Sequence, residues 1–309
     1  MVVRNGERSI ARAMNSLVAQ RYPNLEVVVW DGLSEDSTLE VLKHYASIIT
    51  TLKSEKDSGS PDGYNRAIAL ATGDYIGILN ADDEYEPGTL WAVADKLREQ
   101  PDADVVSFGM LFFITDQSGH KKVTGYYAAE SQLALTLDRV LCDAPTFMSS
   151  RFYRRTLISQ LGPINTDKSL WYYTNDREYM ARLALQGCKN AIIPKALYGF
   201  ESHAGGLSNN PDNFLGITEE HLRIANMLLT RGLGDHDRRC VKQWRKRQLA
   251  YGLYRALTAG KWQFAKIFFD QAMEGDGAGF LLFLPAVLVC KAVKRLSLKL
   301  SGAIDRGIL

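Results

Sequence analysis

Cysteine is scarce and scattered. The four residues, Cys142, Cys188, Cys240 and Cys290, lie far apart and match no metal-ligand or redox spacing, which suits a reducing compartment. An excess of one charge is also missing. With 37 Lys and Arg against 35 Asp and Glu, the formal net charge of +2 gives no global pull toward nucleic acid. Long hydrophobic runs are absent too. The amino terminus, MVVRNGERSI, has no apolar stretch of secretion-signal length. The longest apolar run, Phe280 to Cys290, is too short to cross a bilayer as a helix and contains Pro285. A cytoplasmic protein is the expectation. What remains is a globular composition, 46% hydrophobic and 23% charged over 309 residues, enough for one large domain or two ordinary ones.

Within the first half the hydrophobic period alternates. Ile10, Met14, Leu17 and Val18 form a helical stripe that ends at the YPN of residues 22–24. Leu25 to Trp30 is a continuous valine-rich run, as expected of a strand buried on both faces. A helix with a capping-box pattern starts at Ser37, with Glu40 three residues on. The pattern then gives a helix closing on Gly73, a strand over Tyr75–Ile78, a helix from Pro87 to Gln100 and the strand DVVSF. Strict alternation of strand and helix implies right-handed crossovers and a parallel sheet covered by helices. In the second half the spacing predicts a strand near Pro145 to Ser149 and helices near Arg154–Leu161 and Asp176–Gln186. A short strand NAIIP follows, and the pattern is helical from Leu215 to about Met273.

Three acidic loops follow successive strands: Asp31 and Asp36 in WDGLSEDST, Asp57, Asp62 and Asn65 in SEKDSGSPDGYNRA, and Asn80, Asp82 and Asp83 in NADDEYEPG. In a crossover sheet such loops converge at the strands' carboxyl ends, where ligands bind. Carboxylates there can hold a hard divalent cation together with substrate phosphates, or accept from a base or ribose. Each also has a plainer explanation. Asp and Asn favour turns, Asp36 sits where a helix cap belongs, and Glu84 and Glu86 enrich a helix start.

Taken together, NGERSIARAMNSLVAQRYPNLEVVVWDGLSEDST, SEKDSG…DGYNRAIALATGDYIGILNADD and EPGTL resemble the inverting family 2 glycosyltransferases of GT-A fold, in the branch that builds bacterial surface polysaccharides. The resemblance runs from about Asn5 to Leu90 and continues more loosely from Pro145 to Asn209. It implies an α/β, Rossmann-like, mostly parallel sheet flanked by helices, with an α-helical carboxyl-terminal extension. A GT-A domain over 1–210 is expected, divided into a nucleotide-sugar half (about 1–110) and an acceptor half (about 111–210). A helical extension (211–275) and an apolar, basic tail (276–309) would follow. By the same resemblance, Asp31 meets the nucleotide base and Asp57 lines the nucleotide pocket. Asp62 and Asn65 match a YDAMN-like motif. Asp82 coordinates Mn²⁺ or Mg²⁺, with Asp83 beside it. Asn80 occupies a place where many members carry aspartate, one charge fewer. The donor implied is a UDP-sugar, and the acceptor is a hydroxyl of a lipid-linked or oligosaccharide molecule.

An inverting transfer needs a base for the acceptor hydroxyl. Asp176, before an amphipathic helix, resembles the base of the family's EDYELWLRL segment; Glu178 is the alternative. The helix terminus alone also explains an aspartate there. His203 in ESHAGGLSNN resembles a loop that closes over the donor and would reach diphosphate or metal; plain surface is the other reading. Arg151 to Arg155, RFYRR, reads either as a patch for an anionic acceptor or as a solvated helix start. The tail joins an apolar run to Lys291, Lys294, Arg295 and Lys299, which suits peripheral contact with the anionic inner face of the membrane, or else a buried helix or dimer contact. The rival classes are a nucleotidyltransferase and a degenerate transferase serving as a scaffold. Family members also carry a full buried strand ahead of NGE. Only Met1 to Arg4 precede Asn5, so either that strand is very short or it continues upstream, and a short one exposes a neighbour's edge.

Overall fold

The computed structural model describes residues 1–116, 118–141, 147–168, 173–202, 213–277 and 279–281. They fall into two compact units, one within 1–169 and 175–202 and the other within 170–174 and 203–309.

The first unit holds two sheets. In the smaller, β1 (Val2–Val3), β2 (Val28–Asp31) and β3 (Thr51–Ser54) run parallel in that order. All four residues of β2 are buried, as the valine run predicts. The helices between these strands are α1 (Ile10–Gln20) and α2 (Thr38–Lys43), and α3 (Ser60–Leu70) follows β3. Ile10, Met14 and Leu17 face the core beside Ala13, whereas Val18, at the edge of the stripe, is 47% exposed. Ser37 makes no side-chain cap bond to α2. Asp36 does this instead, accepting from Thr38 N at 3.0 Å and from Glu7 N at 3.1 Å. Its plainer role is therefore the one observed.

The larger sheet is mixed. Its order is β4 (Tyr75–Gly77), β8 (Arg151–Arg154), β6 (Val105–Thr115), β9 (Asn190–Glu201), β5 (Glu84–Tyr85), with β7 (Lys121–Tyr127) pairing β6. Only β6 and β9 run parallel; the other pairings are antiparallel. Both β6 and β9 are far longer than DVVSF and NAIIP suggest, because each supplies the other's ladder from Val105↔Asn190 to Phe113↔Glu201. β6 leaves β8 after Ser107 and takes up β7 from Met110. Gly109 lies at that fork, where a Cβ would stand 2.4 Å from Tyr127 O and 2.5 Å from Ala128 Cβ. α4 (Thr89–Glu99), α5 (Glu130–Leu133), α6 (Leu137–Leu141), α7 (Arg155–Leu161) and α8 (Asn175–Leu185) complete the unit. Its main core joins Met14 and Leu17 of α1 to Val29, Phe108, Met110, Ile193 and Tyr198 on the strands. Burial of each such side chain contributes about 1.5–3 kcal/mol.

RFYRR divides between two elements. Arg151–Arg154 form β8, with Arg151 buried and its guanidinium donating to Phe147 O, because pairing with β4 and β6 makes it an interior strand, and the exposed Arg155 opens α7. The strand predicted over Pro145–Ser149 falls partly outside the described residues; Phe147 to Ser149 are not strand.

In the second unit, α9 (Phe214–Leu229), α10 (Asp235–Thr258) and α11 (Trp262–Asp276) pack around Leu222, Leu249, Leu253 and Phe268. Glu220 ties down the chain ahead of α8 by accepting from Tyr173 N and Thr174 N at 2.9 and 2.8 Å. Among the described residues no helix is long and apolar enough to cross a membrane. The basic tail beyond Leu281 lies outside them.

Candidate active site

β1 determines where the acidic loops meet. Val2 pairs with Trp30 on one side and bridges Asn80 on the other, and Val3 pairs with Asp31. Adjacent strands lie about 4.8 Å apart, so the carboxyl ends of β2 and of the chain after β4 stand about 10 Å apart across β1. Asp31 and the Asn80–Asp83 turn therefore share one rim.

Asp31 is wholly buried at the end of β2. It accepts from Ser34 N at 3.1 Å, from Ser54 Oγ at 2.6 Å and from the Ser34 hydroxyl, which folds the DGLS loop back over the strand end. Asp57 is half-buried and accepts from Gly59 N at 2.9 Å. Its other oxygen lies 2.8 Å from where a Cβ on Gly32 would be and 3.1 Å from one on Gly63. Two glycines thus let the loop after β2 and the first turn of α3 close around this carboxylate. Asp31 and Asp57 are brought together.

Asp62 and Asn65 are differently engaged. Asp62 accepts from Arg66 Nε at 3.0 Å and from Ser58 N at 2.9 Å, and the Arg66 bond, followed by the Ser58 bond, holds its carboxyl below the ordinary range. Asn65 spends both ends of its amide on Ile164, donating to its O and accepting from its N, each at 2.8 Å. The structure uses it as a clamp between α3 and the chain after α7.

In the NADD turn the two aspartates part company. Asp83 is 1% exposed and accepts from Tyr198 Oη at 2.7 Å, Asn80 Nδ2 at 2.8 Å and Glu201 N at 2.9 Å. Burial, then the charge of Asp82, pushes its carboxyl up to about 7. Asn80 also accepts from the Tyr64 hydroxyl, so an amide here both donates and accepts where a second carboxylate could only accept. Asp82 is partly exposed, and its carbonyl accepts from the Arg12 guanidinium, which also grips Glu201. The charges of Asp83 and Asp82 add to burial in raising Tyr64, which places that ring beside the turn.

Asp176 is the second residue of α8, half-buried, and accepts from Arg177 N at 2.7 Å. Its charge acts on Tyr153 of β8. These neighbours lie on α8 and β8. Glu178 is buried in an ion pair with Arg182 at 2.8 and 3.0 Å, whose guanidinium also donates to Leu161 O and Pro163 O. So fixed, it is poorly placed to act as a base. His203 lies outside the described residues.

Among the described residues no three His, Cys, Asp or Glu side chains cluster as a metal site. A single accessible carboxylate still fits Mn²⁺ or Mg²⁺, because such ions complete their shell with phosphate oxygens and water. Of the two aspartates of the turn, Asp82 is the candidate, since Asp83 has three donors and almost no exposure. Sequence reasoning missed Arg12, Tyr64, Tyr198 and Glu201. Only the tyrosines left a trace, because a buried hydroxyl seeks a partner.

Residues 1–161 match the model of glycosyl transferase family 2. Similar curated proteins include the putative glycosyltransferase EpsE of Bacillus subtilis, 32% identical over 37% of this chain and 42% of its own length. A PGL/p-HBAD biosynthesis glycosyltransferase of Mycobacterium tuberculosis is 31% identical over 49% of this chain and 56% of its own length. The chain thus spans about half the length of these relatives. Among solved structures, Staphylococcus aureus TarS 1–349 in complex with UDP superposes with a TM-score of 0.60 at 20% identity, covering 84% of this chain and 73% of that one. The mannosyltransferase PcManGT of Pyrobaculum calidifontis, with GDP-Man and Mn²⁺, gives 0.57 at 19% identity over 96% and 85%. The family match covers more than half of the sequence and agrees with the motifs quoted above: the chain belongs to glycosyl transferase family 2.

Proposed function

We propose that the chain transfers a sugar from a nucleoside diphosphate sugar, a UDP-sugar, to a hydroxyl of a lipid-linked or oligosaccharide acceptor, with inversion, in bacterial surface-polysaccharide assembly. The observation that carries this reading is the shared rim of Asp31, Asp57 and Asp82 around β1. The two neighbours solved with UDP and with GDP-Man and Mn²⁺ support a nucleotide-sugar donor. Asp31 and Asp57 bind the nucleoside, and Asp82 holds Mn²⁺ or Mg²⁺. When bound, the cation offsets charge on the departing diphosphate.

Asp176 is the base. It stands in the first turn of α8, and its carboxylate accepts the acceptor's hydroxyl proton. The acceptor oxygen then bonds to the anomeric carbon from the face opposite the leaving group. The bond from that carbon to the phosphate oxygen breaks, and its electron pair leaves with the diphosphate. We assign residues 1–210 to this reaction and 211–275 to a helical extension. The tail, 276–309, would contact the inner face of the cytoplasmic membrane.

A thermal-shift screen with UDP, GDP and their sugars, with and without Mn²⁺, tests the reading. It predicts a metal-dependent shift with a uridine donor that vanishes in Asp82→Ala. A shift that survives that substitution would remove Asp82 from the metal site. Trimming after Gly277 should release the chain from anionic vesicles, and undiminished binding would refute the role given to the tail.

A further inference from the structure

Arg12, in the first turn of α1, lies among side chains from β5, β6, β7 and β9. Its guanidinium donates to Glu201 Oε2 at the end of β9, and its Nε stands 3.6 Å from Glu84 Oε2 of β5. Lys121 of β7 donates to the same Glu84 and, at 3.0 Å, to Glu86. Both cations lie over the Phe113 ring of β6, Arg12 at 5.3 Å and Lys121 at 4.4 Å. Gly199 makes room for this stack. A Cβ there would stand 2.9 Å from Glu84 Cγ and 3.2 Å from Phe113 Cε1.

Ion pairing alone does not account for the arrangement. Three carboxylates, Glu84, Glu86 and Glu201, meet two cations, so a guanidinium that served only to neutralise them would spend its bonds on carboxylates. Arg12 instead gives one to a main-chain oxygen, that of Asp82, from the same nitrogen that holds Glu201. Its Nε is buried without a hydrogen-bond partner among the described residues, a further sign that the group is not placed for the carboxylates alone. Glu201 in turn donates its N–H to Asp83 Oδ1 at 2.9 Å. One nitrogen thus grips the turn directly at Asp82 and, through Glu201, at Asp83.

We propose that Arg12 is a positioning residue for the metal ligand, its planar guanidinium fixing the main chain of Asp82 against the end of β9. The proposal rests on the reading that Asp82 holds Mn²⁺ or Mg²⁺. Groups that orient a ligand without touching the ion commonly govern metal affinity by about 10–100-fold. A lysine at position 12 would keep the charge and lose the fork that reaches two acceptors at once. Charge and position also predict opposite effects here. Removing a cation near Asp82 strengthens the attraction for a divalent ion, whereas freeing the turn weakens its hold.

The test is a titration of Mn²⁺ by electron paramagnetic resonance in the presence of UDP, on variants whose circular dichroism matches that of the unaltered chain. Arg12→Lys should weaken Mn²⁺ binding by about 10–100-fold. Arg12→Ala should weaken it at least as much, although it removes a cation. Lys121→Gln removes a cation from the same cluster without touching Asp82, and should not weaken it. A second arm needs no metal. The Asp83 amide donates to Asn80 O at 3.2 Å, and its hydrogen exchange should quicken by about tenfold in Arg12→Lys while that of Val29 in β2 stays the same. Where Asp82→Ala abolishes Mn²⁺ binding, an unchanged affinity in Arg12→Lys overturns the inference. So does equal weakening by Lys121→Gln, which would assign the hold on the turn to the cluster rather than to Arg12. If Asp82→Ala binds Mn²⁺ undiminished, the metal reading fails instead, and exchange at Asp83 alone decides whether Arg12 positions the turn: quickening supports it and constancy refutes it.

Discussion

Tyr198, fully buried in β9, donates to Asp83 Oδ2 at 2.7 Å across 115 residues of sequence. The same hydroxyl accepts from Asn80 N at 3.2 Å. One ring thus locks both ends of the NADD turn.

Tyr198→Phe keeps the ring and its edge contact with Tyr85 but strips the turn of a donor and an acceptor. The loss should destabilise the protein by about 1–3 kcal/mol, and burial would push Asp83 further up. Urea denaturation reads the first effect. An unchanged midpoint would mean that Asn80 and Glu201 N suffice to hold Asp83.

Local patterns made much of this legible, and the failures share a cause. The valine run and the loops at Asp31, Asp57 and Asp82 are short-range signals, and each lies at the rim. NAIIP reads as a short strand because its remainder, Lys195 to Glu201, becomes strand through pairing with β6 and β5. Arg151 to Arg154 carry a surface-like composition, yet β4 and β6 flank them. Asn65 looks like a site residue in sequence, and only the fold reveals Ile164 opposite both ends of its amide. Arg12 gave no sign at all. Its partners Glu84 and Glu201 come from strands β5 and β9, far along the chain.

Gly109→Ala tests the fork in β6. The added Cβ would meet the backbone oxygen of Tyr127 and the Ala128 side chain, neither of which is the far end of a flexible group. Relief requires β7 to move, at a cost of about 1–3 kcal/mol. Gly119→Ala, where nothing lies within 4 Å but φ is +81°, supplies the comparison of strain without crowding. Calorimetry should rank Gly109→Ala as the more damaging, and the reverse order would place the fork elsewhere.

Asp176 and Glu178 sit two residues apart on α8, and their surroundings predict opposite phenotypes. Glu178 is buried against Arg182, so Glu178→Gln leaves a guanidinium short of its counter-charge and should cost about 3–5 kcal/mol of stability. Folded molecules of that variant should turn over normally, because the carboxylate's oxygens already point at Arg182. Asp176→Asn keeps the size of a half-buried side chain and removes the proton acceptor, so kcat should fall by about 10²–10⁴ with the unfolding midpoint nearly unchanged. Nucleotide binding should survive, since the proposal gives the nucleoside to Asp31 and Asp57. Measuring kcat and midpoint for both variants separates the roles. If Glu178→Gln lost turnover while keeping its midpoint, the base would be the carboxylate that the ion pair now conceals, and α8 would have to open during the reaction.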